Sequence, residues 1–187
     1  MIRAGFRGYG SAGTLVTDSY FKINIEKAIQ NRIEVGVYFF SQAINEQEAI
    51  QEANYVLNLI KNYDITYPIA IDTEDVPNVV GRADNLSKEQ RTAVVASFCN
   101  RISEAGYEPL IYANKWWLKE KLDMTRLSGY AIWLAHYTGA TQDDPFAKPS
   151  DYEGKYIMWQ YTDKAIVDGI TGNVDANVTI PNRTKKL

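Results

Sequence analysis

The chain has 187 residues, of which 45% are hydrophobic, and its formal net charge is −3. This length suffices for one sizeable hydrophobic core, and this composition excludes a disordered chain. The scattered basic residues carry no electrostatic signature of nucleic-acid binding, and no apolar run approaches the roughly 20 residues of a membrane span. A single cysteine, Cys99, excludes an internal disulfide bond and a cysteine-based zinc site.

The pattern of the chain alternates between predicted strands and predicted helices. The strands are predicted over residues 1–4, 33–40, 68–72, 108–113, 130–135 and 156–161, with short ones near 165–167 and 174–178. The helices are predicted over residues 17–31, 45–62, 87–105 and 115–121. Repeated βα units imply an α/β fold with a parallel sheet, either open or closed into a barrel. No linker or composition break interrupts the chain, so we expect one domain over residues 1–187.

Two of the helix starts carry recognisable capping residues. Asn45 is followed three residues later by Glu48, and Ser87 is followed in the same way by Gln90. Thr17 or Asp18 is the expected cap of the first helix. Cys99 falls in an apolar-periodic part of the third helix, where we expect it to be buried and unreactive.

One stretch combines a buried strand with a cluster of acids. Residues 69–71 are apolar on both faces, as in a covered parallel strand, and Pro68 before them suits a strand start. Asp72 and Glu74 are two residues apart, so on a strand their side chains point the same way, with carboxyl groups roughly 6–7 Å apart. Parallel α/β folds place their chemistry at this end of the strands. A loop of solvated acids after a core strand would give the same pattern.

Aromatic and amide residues gather at the other predicted strand ends. If the strands are parallel, one mouth collects Tyr38, Phe40, Asp72, Glu74, Tyr112, Asn114, Trp133, His136, Tyr137, Trp159, Gln160, Tyr161 and Asp175. Carboxylates among aromatic rings suit glycoside hydrolysis, in which one acid stays protonated near neutral pH. Glu74 fits this role, because the neighbouring charges of Asp72 and Asp175 would raise its pKa. The alternative is a set of ordinary strand ends, and the sole histidine, His136, is expected to hydrogen-bond rather than to transfer protons.

A glycine motif near the start of the chain is predicted not to bind a nucleotide. Residues 8–13 match G-x-G-x-x-G, but a dinucleotide site needs the third glycine in the first turn of a helix, and residues 14–16 intervene here. We therefore expect a surface loop. No serine-hydrolase elbow, zinc-protease helix or other metal constellation occurs, so we expect no cofactor.

Six segments together resemble glycoside hydrolase family 25, the lysozyme-type muramidases of bacteria and their phages. In chain order they are GVYFFS, the Asp72-x-Glu74 pair after its apolar strand, EAGYEPLIYAN, YAIWLAHY, YIMWQYT and GNVDAN. The similarity runs from Met1 to about Val178. It implies a flattened, irregular, TIM-like (βα) barrel and hydrolysis of the β-1,4 bond between N-acetylmuramic acid and N-acetylglucosamine in peptidoglycan.

The resemblance also implies roles for individual residues. Glu74 would be the general acid, Asp72 would orient or stabilise the substrate, and Asp175 is similar to a late acidic position of the family. The residues expected to line the sugar groove are Tyr38, Tyr112, Trp133, His136, Tyr137, Trp159 and Gln160. The partner would be peptidoglycan glycan strands, and the place of action would be the cell wall or the extracellular space.

One departure from the family concerns its first strand, which normally carries a glycine-isoleucine-aspartate motif ahead of the equivalent of residues 1–4. That strand and its aspartate are absent, so we interpret the chain as N-terminally truncated and expect two exposed sheet edges through which it self-associates. No signal peptide opens the chain. The missing acid favours a second hypothesis, a non-catalytic glycan-binding module of the same fold.

Overall fold

A computed structural model, which describes residues 1–75 and 78–180, contains one mixed sheet of eight strands. The strands are β1 (Ile2–Arg7), β2 (Leu15–Thr17), β3 (Val37–Phe40), β4 (Ile69–Asp72), β5 (Pro109–Asn114), β6 (Ala131–Ala135), β7 (Met158–Ala165) and β8 (Val174–Thr179). The helices are α1 (Phe21–Gln30), α2 (Glu46–Ile60), α3 (Lys88–Glu104) and α4 (Lys115–Glu120), and a short 3-10 helix covers Pro145–Ala147. None of these helices is long and apolar enough to cross a membrane.

The sheet is parallel in its centre and antiparallel at both ends. Its strand order is β2-β1-β3-β4-β5-β6-β7-β8, and only the outermost strands, β2 and β8, pair antiparallel with their neighbours. The α/β class is therefore confirmed. In the described residues the hydrogen-bonded order ends at β2 and β8 without closing. Self-association through these two edges stays a prediction.

Contacts between distant strands show that the sheet curls around one of its faces, which we call the inner face. The hydroxyl groups of Thr179 in β8 and Tyr67 before β4 lie 2.8 Å apart. Trp133 Nε1 in β6 donates a hydrogen bond to Asn177 Oδ1 in β8 (2.7 Å). The sheet therefore curls so that β8, its last strand, approaches β4 and β6 over the inner face.

Side-chain alternation along the central strands separates the inner face from the face covered by helices. In β4, Ile69 and Ile71 belong to the large core formed with the helices, whereas Ala70 and Asp72 lie on the inner face. The smaller inner cluster consists of Ala70, Leu110, Tyr112, Trp133, Ala135 and Met158. Because both faces are covered, β4 is buried at all four positions, as its apolar sequence predicts.

The predicted capping residues at two helix starts are confirmed. Asn45 Oδ1 accepts a hydrogen bond from Glu48 N (2.9 Å), and Ser87 and Gln90 form a reciprocal capping box. Helix α1 begins later than predicted, at Phe21, after a turn in which Asp18 Oδ1 accepts a hydrogen bond from Tyr20 N (2.9 Å). Cys99 is fully buried in α3, as expected.

The glycine motif at residues 8–13 lies in a hairpin between β1 and β2. Gly8 N donates to Thr14 O (2.8 Å), so the loop joins two antiparallel strands rather than a strand and a helix. The predicted surface loop is confirmed, whereas β2 lies outside the predicted elements. Its pairing requires glycine at position 5, where a Cβ atom would lie 2.2 Å from Val16 O.

A buried ion pair joins the end of β1 to α2. Arg7 Nε lies 2.7 Å from Glu52 Oε1, and Arg7 Nη1 donates to Gly13 O (2.8 Å). The other Glu52 oxygen accepts from Ser41 Oγ (2.6 Å). Burial raises the pKa of Glu52 to about 7, although the bonds from Ser41 and Arg7 favour its charged form. This group therefore ties the glycine loop and two strand ends to one helix.

We predict that Glu52→Ala lowers the free energy of unfolding by about 3–5 kcal/mol, because Arg7 stays buried and loses its nearer carboxylate, while Glu48 lies 3.9 Å away. Urea unfolding followed by tryptophan fluorescence measures this loss. Glu26→Ala is the matched control, since it removes an exposed ion pair with Lys22. Equal unfolding midpoints for the two variants would contradict the assignment of Arg7 and Glu52 as a buried structural pair.

Candidate active site

The acidic stretch at the end of β4 is held through its backbone. Asp72 O accepts a hydrogen bond from Ser41 N (2.9 Å), and Thr73 N donates to Tyr112 O (3.2 Å). Ser41, directly after β3, and Tyr112, within β5, therefore fix the backbone of this stretch from both sides. Asp72 and Glu74 line the same inner cavity, as their spacing predicts, while Thr73 between them turns towards α3.

Burial and like charge disfavour ionisation of both acids. The Asp72 side chain is buried, which raises its pKa well above the usual value; the charge of Glu74 adds to this rise, and Arg3 opposes it. Burial, followed by the charges of Asp175 and Asp75, raises the pKa of Glu74 to about 7. Near neutral pH the pair therefore holds a proton that it can donate. Among the described residues, the buried Asp72 Oδ1 atom has no hydrogen-bond partner, which adds to the cost of ionising this carboxyl group.

Gln160 organises the surroundings of the third acid. Its Oε1 atom accepts hydrogen bonds from the hydroxyl groups of Tyr112 (2.7 Å) and Tyr137 (2.8 Å). Because both donors point at the amide oxygen, the amide nitrogen is left to donate to Asp175. Burial and the charge of Asp163 raise the pKa of Asp175, and the bond from Gln160 counteracts them. Two strands and a loop thus set the position and charge of one carboxyl group.

Glu74 and Tyr112 stand between two cavities at the mouth of the sheet. We call the first, of about 410 Å³, the acidic cavity; its other lining residues are Met1, Tyr38, Asp72, Trp133, Gln160, Val174, Asp175 and Asn177. We call the second, of about 600 Å³, the basic cavity; its other lining residues are Asn114, Lys115, Trp116, Lys119, Ala135, His136 and Tyr137. A chain-like ligand that crosses both cavities would present one of its bonds to Glu74.

The structure brings nine of the ten predicted site residues to these two cavities. Trp159 is the exception, because its side chain is fully buried in the helix-facing core and its Nε1 atom donates to His136 O (2.9 Å). Its neighbour Gln160 faces inward, so alternation along β7 directs Trp159 to the opposite face. The expected groove position of Trp159 is corrected accordingly.

Several cavity residues lie outside the predicted set, and Trp116 is the largest of them. On a helix, successive side chains point about 100° apart, so the adjacent Trp116 and Trp117 cannot both face the core. Trp117 is 1% exposed and Trp116 is 53% exposed. The doubled tryptophan at the start of a short helix after β5 was therefore the signal for an aromatic side chain at the mouth. Lys115, Lys119 and Asn177 carried no comparable signal.

His136 has a hydrogen-bonding role, as predicted. Its Nδ1 atom lies 2.8 Å from Ser150 Oγ. Burial and the nearby Lys115 lower the pKa of His136, and Asp151 opposes them, so the ring is largely neutral at neutral pH. Within residues 1–75 and 78–180, no group of three or more histidine, cysteine or acidic residues is arranged to hold a metal ion.

A curved, mixed sheet with neighbouring carboxyl groups and aromatic side chains at its mouth defines a cleft of the glycosidase type. The sequence profile of "Glycosyl hydrolases family 25" matches residues 10–170. The chain belongs to glycosyl hydrolase family 25. The resemblance found in the sequence is thereby confirmed.

Two curated relatives are similar to most of this chain. The chain is 25% identical over 163 residues to the autolytic lysozyme of Clostridium acetobutylicum, covering 87% of this chain and 44% of that protein. It is 27% identical over 172 residues to the uncharacterized protein YegX of Escherichia coli K12, covering 89% of this chain and 55% of that protein. The chain thus spans about half the length of the curated relatives it matches.

A solved structure of similar fold is the modular autolysin LytC of Streptococcus pneumoniae in complex with a synthetic peptidoglycan ligand. The TM-score is 0.74 and the sequence identity is 27%, with 94% of this chain and 39% of LytC covered. The fold expected from the sequence therefore matches that of a peptidoglycan-binding autolysin.

We predict that Asp175→Asn lowers the pKa of Glu74 by about half a unit to one unit, because a nearby negative charge is removed while burial persists. Carbon-13 NMR titration of the Glu74 carboxyl group measures the shift without any substrate. Asp64→Asn, an exposed position in the turn before β4, is the control and should leave this pKa unchanged. A Glu74 titration that is identical in wild type and Asp175→Asn would contradict the coupling.

Proposed function

We propose that the protein is a peptidoglycan muramidase, which hydrolyses the β-1,4 bond between N-acetylmuramic acid and N-acetylglucosamine. The observation that carries the proposal is Glu74, whose pKa of about 7 fits a proton donor, in a family 25 cleft beside two further acids. The names of the relatives, an autolytic lysozyme and an autolysin with a peptidoglycan ligand, support it. This substrate would place the protein at the cell wall.

In the proposed reaction, Glu74 donates its proton to the bridging oxygen as the bond from that oxygen to the anomeric carbon breaks. The anomeric carbon and its ring oxygen gain positive charge, and the negative charges of the acidic cavity stabilise them. A water molecule then adds its oxygen to the anomeric carbon and returns a proton to Glu74. The result is a new reducing end on N-acetylmuramic acid and a free hydroxyl group on N-acetylglucosamine.

Asp72 and Asp175 have different surroundings, and we assign them different parts. Asp72 lines the acidic cavity and its pKa is raised, so it suits a hydrogen bond to the substrate acetamido group rather than stabilisation of charge. Asp175 receives a hydrogen bond from Gln160, which favours its charged form and suits stabilisation of the developing positive charge. Both acids touch the same cavity from opposite sides of the curled sheet.

We predict that Glu74→Gln lowers the rate of peptidoglycan hydrolysis by about 10²–10⁴-fold, because the amide cannot protonate the leaving oxygen. Clearing of a cell-wall suspension and release of reducing ends measure the loss. Glu104→Gln, at the exposed end of α3, is the matched control and should behave as wild type. Circular dichroism verifies that both variants are folded.

Two outcomes of this experiment would overturn the proposal. Undiminished hydrolysis by folded Glu74→Gln would exclude Glu74 as the general acid. Binding of cell walls by the wild type without release of any reducing end would instead support a non-catalytic glycan-binding module.

The pH dependence of hydrolysis provides a separate prediction. Glu74 must be protonated to act as an acid, and its pKa is raised to about 7, so kcat/KM should fall about tenfold per pH unit above that value. Initial rates on soluble peptidoglycan fragments between pH 5 and 9 measure the profile. A rate that falls only above pH 9, or that already falls above pH 5, would contradict the assigned proton donor.

A further inference from the structure

The basic cavity differs in charge from the acidic cavity, although both adjoin Glu74. Lys115 and Lys119 line it, and both come from helix α4, where residues four apart share one face. Trp116, which is half-exposed, lies between them in sequence and also lines the cavity. The ammonium group of Lys121 lies 5.2 Å from the centre of the Trp116 ring. A chain with a net charge of −3 thus gathers cations at one side of its cleft.

The two lysines that line the basic cavity are not equivalent. Lys115 forms an ion pair with the exposed Asp151, which also approaches His136. Lys119 has no acidic partner within ion-pair distance in the described part of the chain. Its ammonium group is therefore the one positioned to pair with an anion that enters the cavity.

The electrostatics of the cleft also determine which part of the substrate each cavity holds. In the proposed reaction, positive charge develops on the sugar whose anomeric carbon is attacked, and Asp175 in the acidic cavity stabilises it. Glu74 protonates the bridging oxygen at the boundary between the cavities. The basic cavity therefore holds the leaving side of the glycan strand, beginning with N-acetylglucosamine.

N-acetylglucosamine is uncharged, so it offers no partner for an ammonium group. Carboxylates occur on the peptide stem of the next N-acetylmuramic acid along the leaving side of the strand. We infer that the basic cavity is a subsite for this peptide-bearing part of peptidoglycan, in which Lys119 pairs with a stem carboxylate and Trp116 packs against a sugar face. This inference rests on the proposed function and makes Lys119 a determinant of substrate specificity.

The experiment compares two forms of the same soluble peptidoglycan strands. In one form the stem carboxylates are free, and in the other they have been converted to amides, which removes their charge and keeps the glycan intact. For the wild type, kcat/KM should be about three- to tenfold higher on the free-acid strands. Lys119→Gln should lose this preference by becoming slower on the free-acid strands alone. Lys61→Gln, at the exposed end of α2, is the matched control and should keep it.

Trp116→Ala provides a second comparison. Stacking on a sugar face does not depend on stem charge, so this variant should lose affinity for both forms alike. Equal rates of the wild type on both forms, or an equal loss by Lys119→Gln on both, would overturn the subsite.

Binding measurements separate this inference from the proposed function. Calorimetric titration measures the affinity of both strand forms for the Glu74→Gln variant and for the double variant Glu74→Gln, Lys119→Gln. Neither variant should hydrolyse the strands appreciably, so the difference in affinity reports the carboxylate contact without catalysis. If the wild type released no reducing ends, the proposed function would fail. The subsite would still be supported if binding favoured the free-acid strands threefold or more and Lys119→Gln abolished this preference. Absence of that preference in binding would overturn it.

Discussion

The burial of negative charge at the end of β4 is the constraint on which the cleft depends. The rise of the Glu74 pKa from 4.5 to about 7 corresponds to a difference of about 3 kcal/mol between its charged and neutral forms. Because this pKa is higher in the folded than in the unfolded chain, Glu74 lowers the free energy of unfolding as the pH rises from about 4.5 to about 7. The covered strand and its fixed backbone hold the acids in place against this cost.

The same constraint gives the cleft its two unlike sides. Asp72, Glu74 and Asp175 line the acidic cavity. Helix α4 places its lysines and an exposed tryptophan beside the other cavity. Glu74 lines both cavities, so in the proposed reaction proton donation, charge stabilisation and recognition of the leaving side would occur next to one another across the mouth of the sheet.

The sequence predicted those features that depend on local pattern. The apolar run before Asp72 identified β4, and the caps at Asn45 and Ser87 identified two helix starts, because each signal is contained in a few residues. Strand β2 was missed, since its three residues form a strand only by pairing with β1 beside Gly5. Trp159 was assigned to the groove because strand ends were grouped without regard to alternation. The cation at Lys119 depends on the placement of α4, which no local pattern specifies.

The chemical identity of the new reducing end tests the account most directly. Peptidoglycan digested by the wild-type protein can be reduced with borohydride and hydrolysed, and the resulting sugar alcohols can be identified by mass spectrometry. If Glu74 cleaves the bond that follows N-acetylmuramic acid, the wild type yields muramitol, the alcohol of that sugar. The Glu74→Gln variant yields no muramitol. Glucosaminitol, or no sugar alcohol above the undigested control, would contradict the account.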